Sequence, residues 1–292
     1  MSGFDADWLA QREPFDLAAR SRLLEQAFAA ELVRNRPHAA IRLADLGGGT
    51  AANFRALAPQ LGGDQQWLLL DHDEQLLADA PARIARWARA RGWEARVAGQ
   101  RCEVLTGAAR WELSTRQIDL ARSLESLEPG AFDGIVTTAF LDLVSLGWLE
   151  RFARWLVGSG KPLLATLTVD GVRRWHPEAI DDDLIERAFL LHQGGDKGFG
   201  DSVGPGAAAA LAQCLETLRC PVRLERSDWQ IGAAEPAMLA RMADEAVEVA
   251  RQVAPDAQAR IAGWRMTRAA QIDAAQASLL IGHIDLLAVP DR

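Results

Sequence analysis

Tyrosine is absent from the 292 residues, lysine occurs only at Lys161 and Lys197, and cysteine only at Cys102, Cys214 and Cys220. The cysteines show no C-x-x-C spacing, so reduced thiols in a cytoplasmic protein are expected, not a metal centre or disulfide scaffold. The five histidines show no H-x-x-x-H spacing either, which leaves no metal ligand set. Apolar runs stay well short of the roughly 18 residues of a membrane span, and no charged-then-apolar leader opens the chain. A net charge of −8 and a pI near 5.2 argue against a nucleic-acid partner, which calls for a basic face. No Pro/Ser-rich linker divides the chain, which reads as one elaborated domain with a large core. Tryptophan, by contrast, is frequent: ten residues, expected mostly in core or pocket walls.

The chain is organised around Ile41–Asp73. A short apolar run, Ile41–Leu46, is followed by Gly47-Gly48-Gly49, a helical stretch from about Thr50 to Gln60, and a second apolar run, Trp67–Leu70, that closes on acids. Short apolar runs bounded by turn signals suit parallel strands buried on both faces. Strand, glycine turn, helix and strand make one right-handed βαβ unit. Gly47 and Gly49 permit a sharp turn and let a ligand lie against bare backbone. Unpaired N–H groups open the helix that follows. Asp71 ends the second strand, where α/β sheets bind ligands, and a carboxylate there can accept hydrogen bonds from two ribose hydroxyls. The unit should therefore bind a nucleoside-bearing cofactor.

The glycines, with Ala52 and a following acid, also fit the loose dinucleotide pattern G-x-G-x-x-G/A. Asp45 separates the alternatives. A carboxylate two residues before the turn repels a pyrophosphate but favours a sulfonium and an amino group. The stretch Asp45-Leu46-Gly47-Gly48-Gly49-Thr50-Ala51-Ala52-Asn53 resembles the D-x-G-x-G-x-G motif of class I S-adenosylmethionine (SAM)-dependent methyltransferases. Ala51 stands where the third glycine is usual, and Asp71 matches the ribose acid. The resemblance runs from about Ile41 to Pro290. It implies a doubly wound α/β fold with a mostly parallel, seven-stranded Rossmann-like sheet, an antiparallel C-terminal strand, N-terminal helices and helical insertions.

By that resemblance residues 1–36 form a helical segment over the cofactor, and 37–292 the SAM-binding domain. Pro14 begins a helix with Leu17, Leu24, Phe28 and Leu32 at helical intervals, and Arg20 reaches the SAM carboxylate. Glu74–Arg91 is the second crossover helix, Glu103–Thr106 an extra short strand and Trp111–Ile118 the third main strand. Asp119 then meets the adenine amino group, or caps a short turn, and Leu120 lines the ring. Phe132–Thr138 resembles the family's F-D-x-V strand, so Thr138 ends beside the transferred methyl group. Asp142, just beyond, is a candidate base or a helix-start acid.

Strand five is expected over Leu163–Val169. About 35 residues then intervene, 170–205, with a helix from Asp181–Asp183 to Leu191 and six glycines between Gly194 and Gly206. Long loops in compact domains are usually functional, and this one reads as a substrate lid. His192 is the candidate general base, since an imidazole can titrate near working pH. Lys197 and Asp196 are candidate substrate ligands, with Trp175 and Trp229 as pocket walls. His38, before strand one, and His283, in the last strand, lie far from the expected cleft. Pro221–Ile231 is strand six, and a helical pair, 235–276, precedes the last strand, Ala277–Val289. That pair would roof the cleft or form a homodimer surface. The expected activity is methyl transfer from SAM to a small molecule, with no membrane partner. An NAD(P)-dependent oxidoreductase and a non-catalytic SAM-binding protein are the alternatives.

Overall fold

The computed structural model describes residues 6–35 and 40–291; His38 lies outside them. Two helices come first, α1 (Ala6–Ala19) and α2 (Arg22–Asn35), and α1 carries Pro14 inside it instead of starting there. The βαβ unit follows as β1 (Ile41–Leu46), α3 (Ala52–Leu61) and β2 (Gln65–Asp71), then α4 (Glu74–Arg89). Next come β3 (Glu94–Ala98), β4 (Arg101–Leu105), β5 (Arg110–Gln117), the short α5 (Leu120–Ser123), β6 (Gly134–Thr138) and α6 (Leu146–Ser159). The remainder is β7 (Leu163–His176), α7 (Asp182–Gln193), α8 (Ala207–Thr217), β8 (Val222–Arg226), β9 (Trp229–Ile231), α9 (Pro236–Val253), α10 (Gln258–Asp273) and β10 (Ser278–Ala288).

All ten strands form one sheet in the order β3-β4-β5-β2-β1-β6-β7-β10-β8, with β9 also on β10. The central five, β5-β2-β1-β6-β7, are parallel, and β10 pairs antiparallel with β7, β8 and β9. This is the doubly wound α/β fold with its antiparallel end. The β3–β4 hairpin widens the sheet at the other edge. Nothing in the sequence announces β3, because its residues alternate too weakly: none of the five is buried. From β1 the chain winds first to β2 and later to β6 on the other side. The sheet therefore reverses direction at the carboxyl end of β1, which is where such sheets open a binding crevice.

Helices cover both faces. Leu24, Phe28 and Leu32 of α2 pack with Phe54, Leu57 and Trp67 on one side, and Trp148, Phe152 and Leu211 fill the other. A third core belongs to an extension the sequence did not reveal. The chain from Asp170 to His176 continues β7 and pairs with Ser278–Ile281 of β10. Asp170-Gly171 and three cationic or imidazole side chains disguise it as loop. Trp175 and Leu279 nevertheless face α7, α9 and α10, with Trp229, Met242 and Trp264. The helical pair is thus the packing partner of this extension. Strand six is split at Ser227-Asp228, where Asp228 Oδ1 accepts from His283 N at 3.1 Å.

Two irregularities shape the crevice. Leu167 sits at φ +57° within β7, and β10 slips register opposite it. The fully buried Asp285 of β10 holds the bulge, accepting from Leu167 N at 2.8 Å and from Ser21 N, between α1 and α2, at 2.7 Å. Replacing Asp285 by Ala leaves two enclosed N–H groups without partners. The expected cost is about 2–4 kcal/mol, read as a lowered urea midpoint at unchanged m-value.

Candidate functional site

Asp45 is the penultimate residue of β1, fully buried, and after Leu46 the backbone turns through Gly47 at φ +65° and Gly49 at φ +49°. Ala51 also adopts a left-handed conformation, φ +67°, as the N-cap of α3. An L-residue pays roughly 1–2 kcal/mol there, so Ala51 is held at some strain. Gly48 has a different task. A Cβ on it would lie 2.3 Å from Leu69 Cδ1, so the turn presses directly on β2. Asp71 fixes the geometry: its Oδ2 accepts from Gly49 N at 2.9 Å and its Oδ1 from Asp73 N at 3.0 Å. Asp73 in turn caps α4. His72 Nδ1 lies 3.2 Å from Oδ1, whereas Oδ2 retains acceptor capacity on its second lone pair.

Beneath the turn runs a buried polar chain. Arg20 Nη1 donates to Asn53 Oδ1 at 2.9 Å, and Asn53 Nδ2 donates to Asp45 Oδ1 at 2.8 Å. Arg20 also donates through Nε to Glu25 at 2.5 Å. Both ends of the chain are open: Arg20 Nη2 and Asp45 Oδ2 are enclosed with no partner among the described residues. Burial pushes the Asp45 carboxyl up to about 7, against the opposing pull of Asn53 and Arg20. Enclosed polar atoms are normally satisfied. An unpaired guanidinium N–H and an unpaired carboxyl oxygen thus stand at the two ends of the chain, bridged by one amide. Asn53 is the residue that sequence reasoning passed over; it lies inside the quoted motif, but nothing in a linear pattern reveals that its amide bridges two charges.

Helix α1 closes over this turn. Leu9 Cδ1 lies 3.7 Å from where a Gly49 Cβ would be, and Glu13 Oε2 accepts from Arg55 Nη2 of α3 at 2.7 Å. Further along the same face, Arg12 pairs with Asp16 through two bonds of 3.0 and 3.1 Å, and Asp16 accepts from Trp229 Nε1 at 3.1 Å. Arg12 stacks over the Trp229 ring at 5.0 Å. His283 lies 5.4 Å from Trp229, ring to ring, and is held neutral, its pKa pushed down to about 3 by burial. Trp229 is thus enclosed by Arg12, His283, Phe15 and Trp8. His283 is itself buried in this cluster.

At the carboxyl end of β6, Thr138 Oγ1 meets Thr166 Oγ1 of β7 at 3.0 Å. Phe140 follows and packs so tightly on Gly47 that a Cβ there would approach its ring to 2.7 Å. Asp142, in the single turn Leu141–Leu143, is half-buried, with Oδ1 enclosed and unpaired; burial pushes its carboxyl up to about 6. Asp119 caps α5, accepting from Ala121 N at 3.0 Å, and stays exposed, while Leu120 is buried beside it.

The remaining candidates do not join this group. His192 is exposed near the end of α7; burial, then Lys197, lower its pKa. Lys197 Nζ donates to the His192 carbonyl at 3.3 Å, and Asp196 folds back on Gly198 N and Gly200 N. Trp175 lies nine residues past Thr166 on β7, about 25–30 Å further along the strand. It lines a separate, open cleft of about 1250 Å³ with Arg174, His176, Glu186 and Arg260. That cleft contains no residue of the glycine turn, and two ion pairs, Arg260–Asp181 and Arg173–Glu186, join charges of its lining.

Among solved structures the chain is similar to a candidate methyltransferase from Bacillus halodurans C-125, at TM-score 0.48 and 12% identity, over 91% of this chain and 100% of that one. It is also similar to a candidate sarcosine dimethylglycine methyltransferase from Galdieria sulphuraria, at 0.43 and 14%, over 98% and 88%. A geranyl diphosphate methyltransferase in complex with SAM gives 0.41 and 11%, over 97% and 92%. No protein-family model matches the sequence, and no curated protein matches it.

The enclosed Asp45 makes a prediction for the protein alone. Its folded pKa lies above its unfolded value, so the folded state keeps a proton that the unfolded chain has lost. The stability from that proton is present below about pH 4 and is lost as pH rises to about 7. Asp45→Asn should remove a slope of up to about 1.4 kcal/mol per pH unit, seen as a flatter dependence of the urea midpoint on pH between 4 and 7.

Proposed function

We propose that the protein transfers a methyl group from SAM to a small-molecule acceptor. The observation that carries this reading is the open-ended chain Arg20–Asn53–Asp45 at the sheet's reversal point. Asp45 Oδ2 suits an α-ammonium and Arg20 Nη2 suits an α-carboxylate, the two charges of the methionine end of SAM. A dinucleotide would bring a pyrophosphate to a buried anion instead. Asp71 would receive the ribose hydroxyls while keeping its bond to Gly49 N. Leu120 would line the adenine, with Asp119 at its exposed edge. SAM supplies an electrophilic methyl carbon on sulfur, so the protein's task is alignment: holding donor and acceptor about 3–3.5 Å apart contributes much of the rate.

The N-terminal helices act as the cofactor cover in this reading, through Leu9 over Gly49 and Glu13 on Arg55. The loop between α7 and α8 acts as the acceptor gate. Its support is Phe199, whose ring packs at 5.5 Å on Phe140 and 5.7 Å on Trp148, and Val203 N, which donates to Val144 O at 2.9 Å. The loop thus rests on the residue that rests on Gly47. Lys197 and Asp196 would ride on it at its outer side, His192 stays at the end of α7, and Asp142 would face the transferred methyl group in its place.

Isothermal titration with SAM, S-adenosylhomocysteine and NADH should show binding of the first two and none of the third. NADH binding alone would overturn the reading. Asp71→Asn should weaken SAM by about 1.5–3 kcal/mol, the scale of a hydrogen bond to a charged group. Phe199→Ala should leave SAM affinity unchanged yet speed proteolytic cleavage between residues 194 and 203; equal cleavage rates would show that Phe199 does not fasten the gate.

A further inference from the structure

Asp142 stands in the turn that follows β6, at the carboxyl end of the parallel sheet, and Arg12 stands on α1. The Arg12 charge bears on both Asp142 and His283, yet no ion pair within 4.0 Å joins Arg12 to Asp142 among the described residues. Arg12 is already neutralised by its two bonds to Asp16. Arg20 is bonded to Glu25 and Arg55 to Glu13, and Lys197, on the loop beyond α7, donates to the His192 carbonyl at the end of that helix. His283 is neutral. The uncompensated charge on this wall is therefore negative, and it sits on an enclosed carboxylate oxygen without a partner.

Resting on the methyl-transfer reading, we propose that Asp142 forms the acceptor subsite and that the acceptor is an amine, held by an N–H to Asp142 Oδ1. The reaction's charge flow explains the fit. The nitrogen lone pair forms the new N–C bond as the C–S bond breaks and returns its electron pair to sulfur. Positive charge passes from sulfur to nitrogen, and the nitrogen's proton then leaves to the Asp142 carboxylate. A carboxylate beside the nitrogen stabilises that developing charge in the transition state, where it counts most. An anionic acceptor would meet the same carboxylate as a repulsion, with no free cation on this wall to offset it. An aliphatic hydroxyl would need a far stronger base than a carboxylate or a neutral, enclosed imidazole.

The test uses sinefungin, a SAM analogue whose amine-bearing carbon replaces the methylated sulfur. Its ammonium reports a carboxylate at the point of transfer. In isothermal titration at pH 7.5 the full chain should bind sinefungin about tenfold more tightly than S-adenosylhomocysteine. In Asp142→Asn, an isosteric change, that preference should vanish while S-adenosylhomocysteine affinity stays the same, which also shows that the variant is folded. Equal affinities in the unaltered protein, or a preference that survives in Asp142→Asn, would overturn the assignment of Asp142. Absence of binding by either nucleoside would instead overturn the methyl-transfer reading on which it rests.

Discussion

The fully buried carboxylate of Asp45 is the constraint to which the rest of the site answers. A charge at the centre of a sheet is costly unless it is paired and hydrogen-bonded, and here one oxygen is bonded and the other is not. Asn53 holds the bonded oxygen, Arg20 polarises Asn53, and Glu25 holds Arg20. The glycine turn, the start of α3 and the join between α1 and α2 are thereby tied to a single acid. On the neighbouring strand, Asp71 fastens the far side of the same turn.

The parallel half of the fold was legible because it obeys simple rules. Ile41–Leu46 and Trp67–Leu70 are short apolar runs that can only be buried on both faces, and glycines mark the turn between them. The turn's acids, Asp45 and Asp71, stand on β1 and β2 beside it. The antiparallel half was harder. Residues 170–176 read as loop because their strand partners, 278–281, lie a hundred residues away, and only pairing reveals the alternation of Arg173 and Trp175 against Arg174 and His176. The polar cluster His192–Lys197 stands out through composition alone. Its hydrogen bonds close on its own backbone, as polar side chains in loops commonly do.

What sequence could not supply was the third dimension of α1. Leu9, Arg12, Glu13, Asp16 and Arg20 recur at helical spacing, yet nothing in that spacing says that they touch the glycine turn, β9, α3 and Asn53 in succession. Asp285 is likewise an ordinary acid in an apolar strand until its two bonds are seen to join the β7 bulge to the α1–α2 turn.

The fastening of α1 has two parts, a row of polar bonds and an aromatic contact in which Trp8 and Phe15 pack on Trp229. Glu13 on Arg55, Asp16 on Trp229 and Arg20 on Asn53 hold it, whereas Leu9 is its contact at the glycine turn. Such bonds can be exchanged for water one at a time, unlike a dry apolar seam. The Glu13–Arg55 and Arg20–Glu25 pairs are largely enclosed, so salt screens them only weakly, and on the proposed reading a ligand seated beneath the helix would leave at a pace set by the opening of α1 and not by ionic strength.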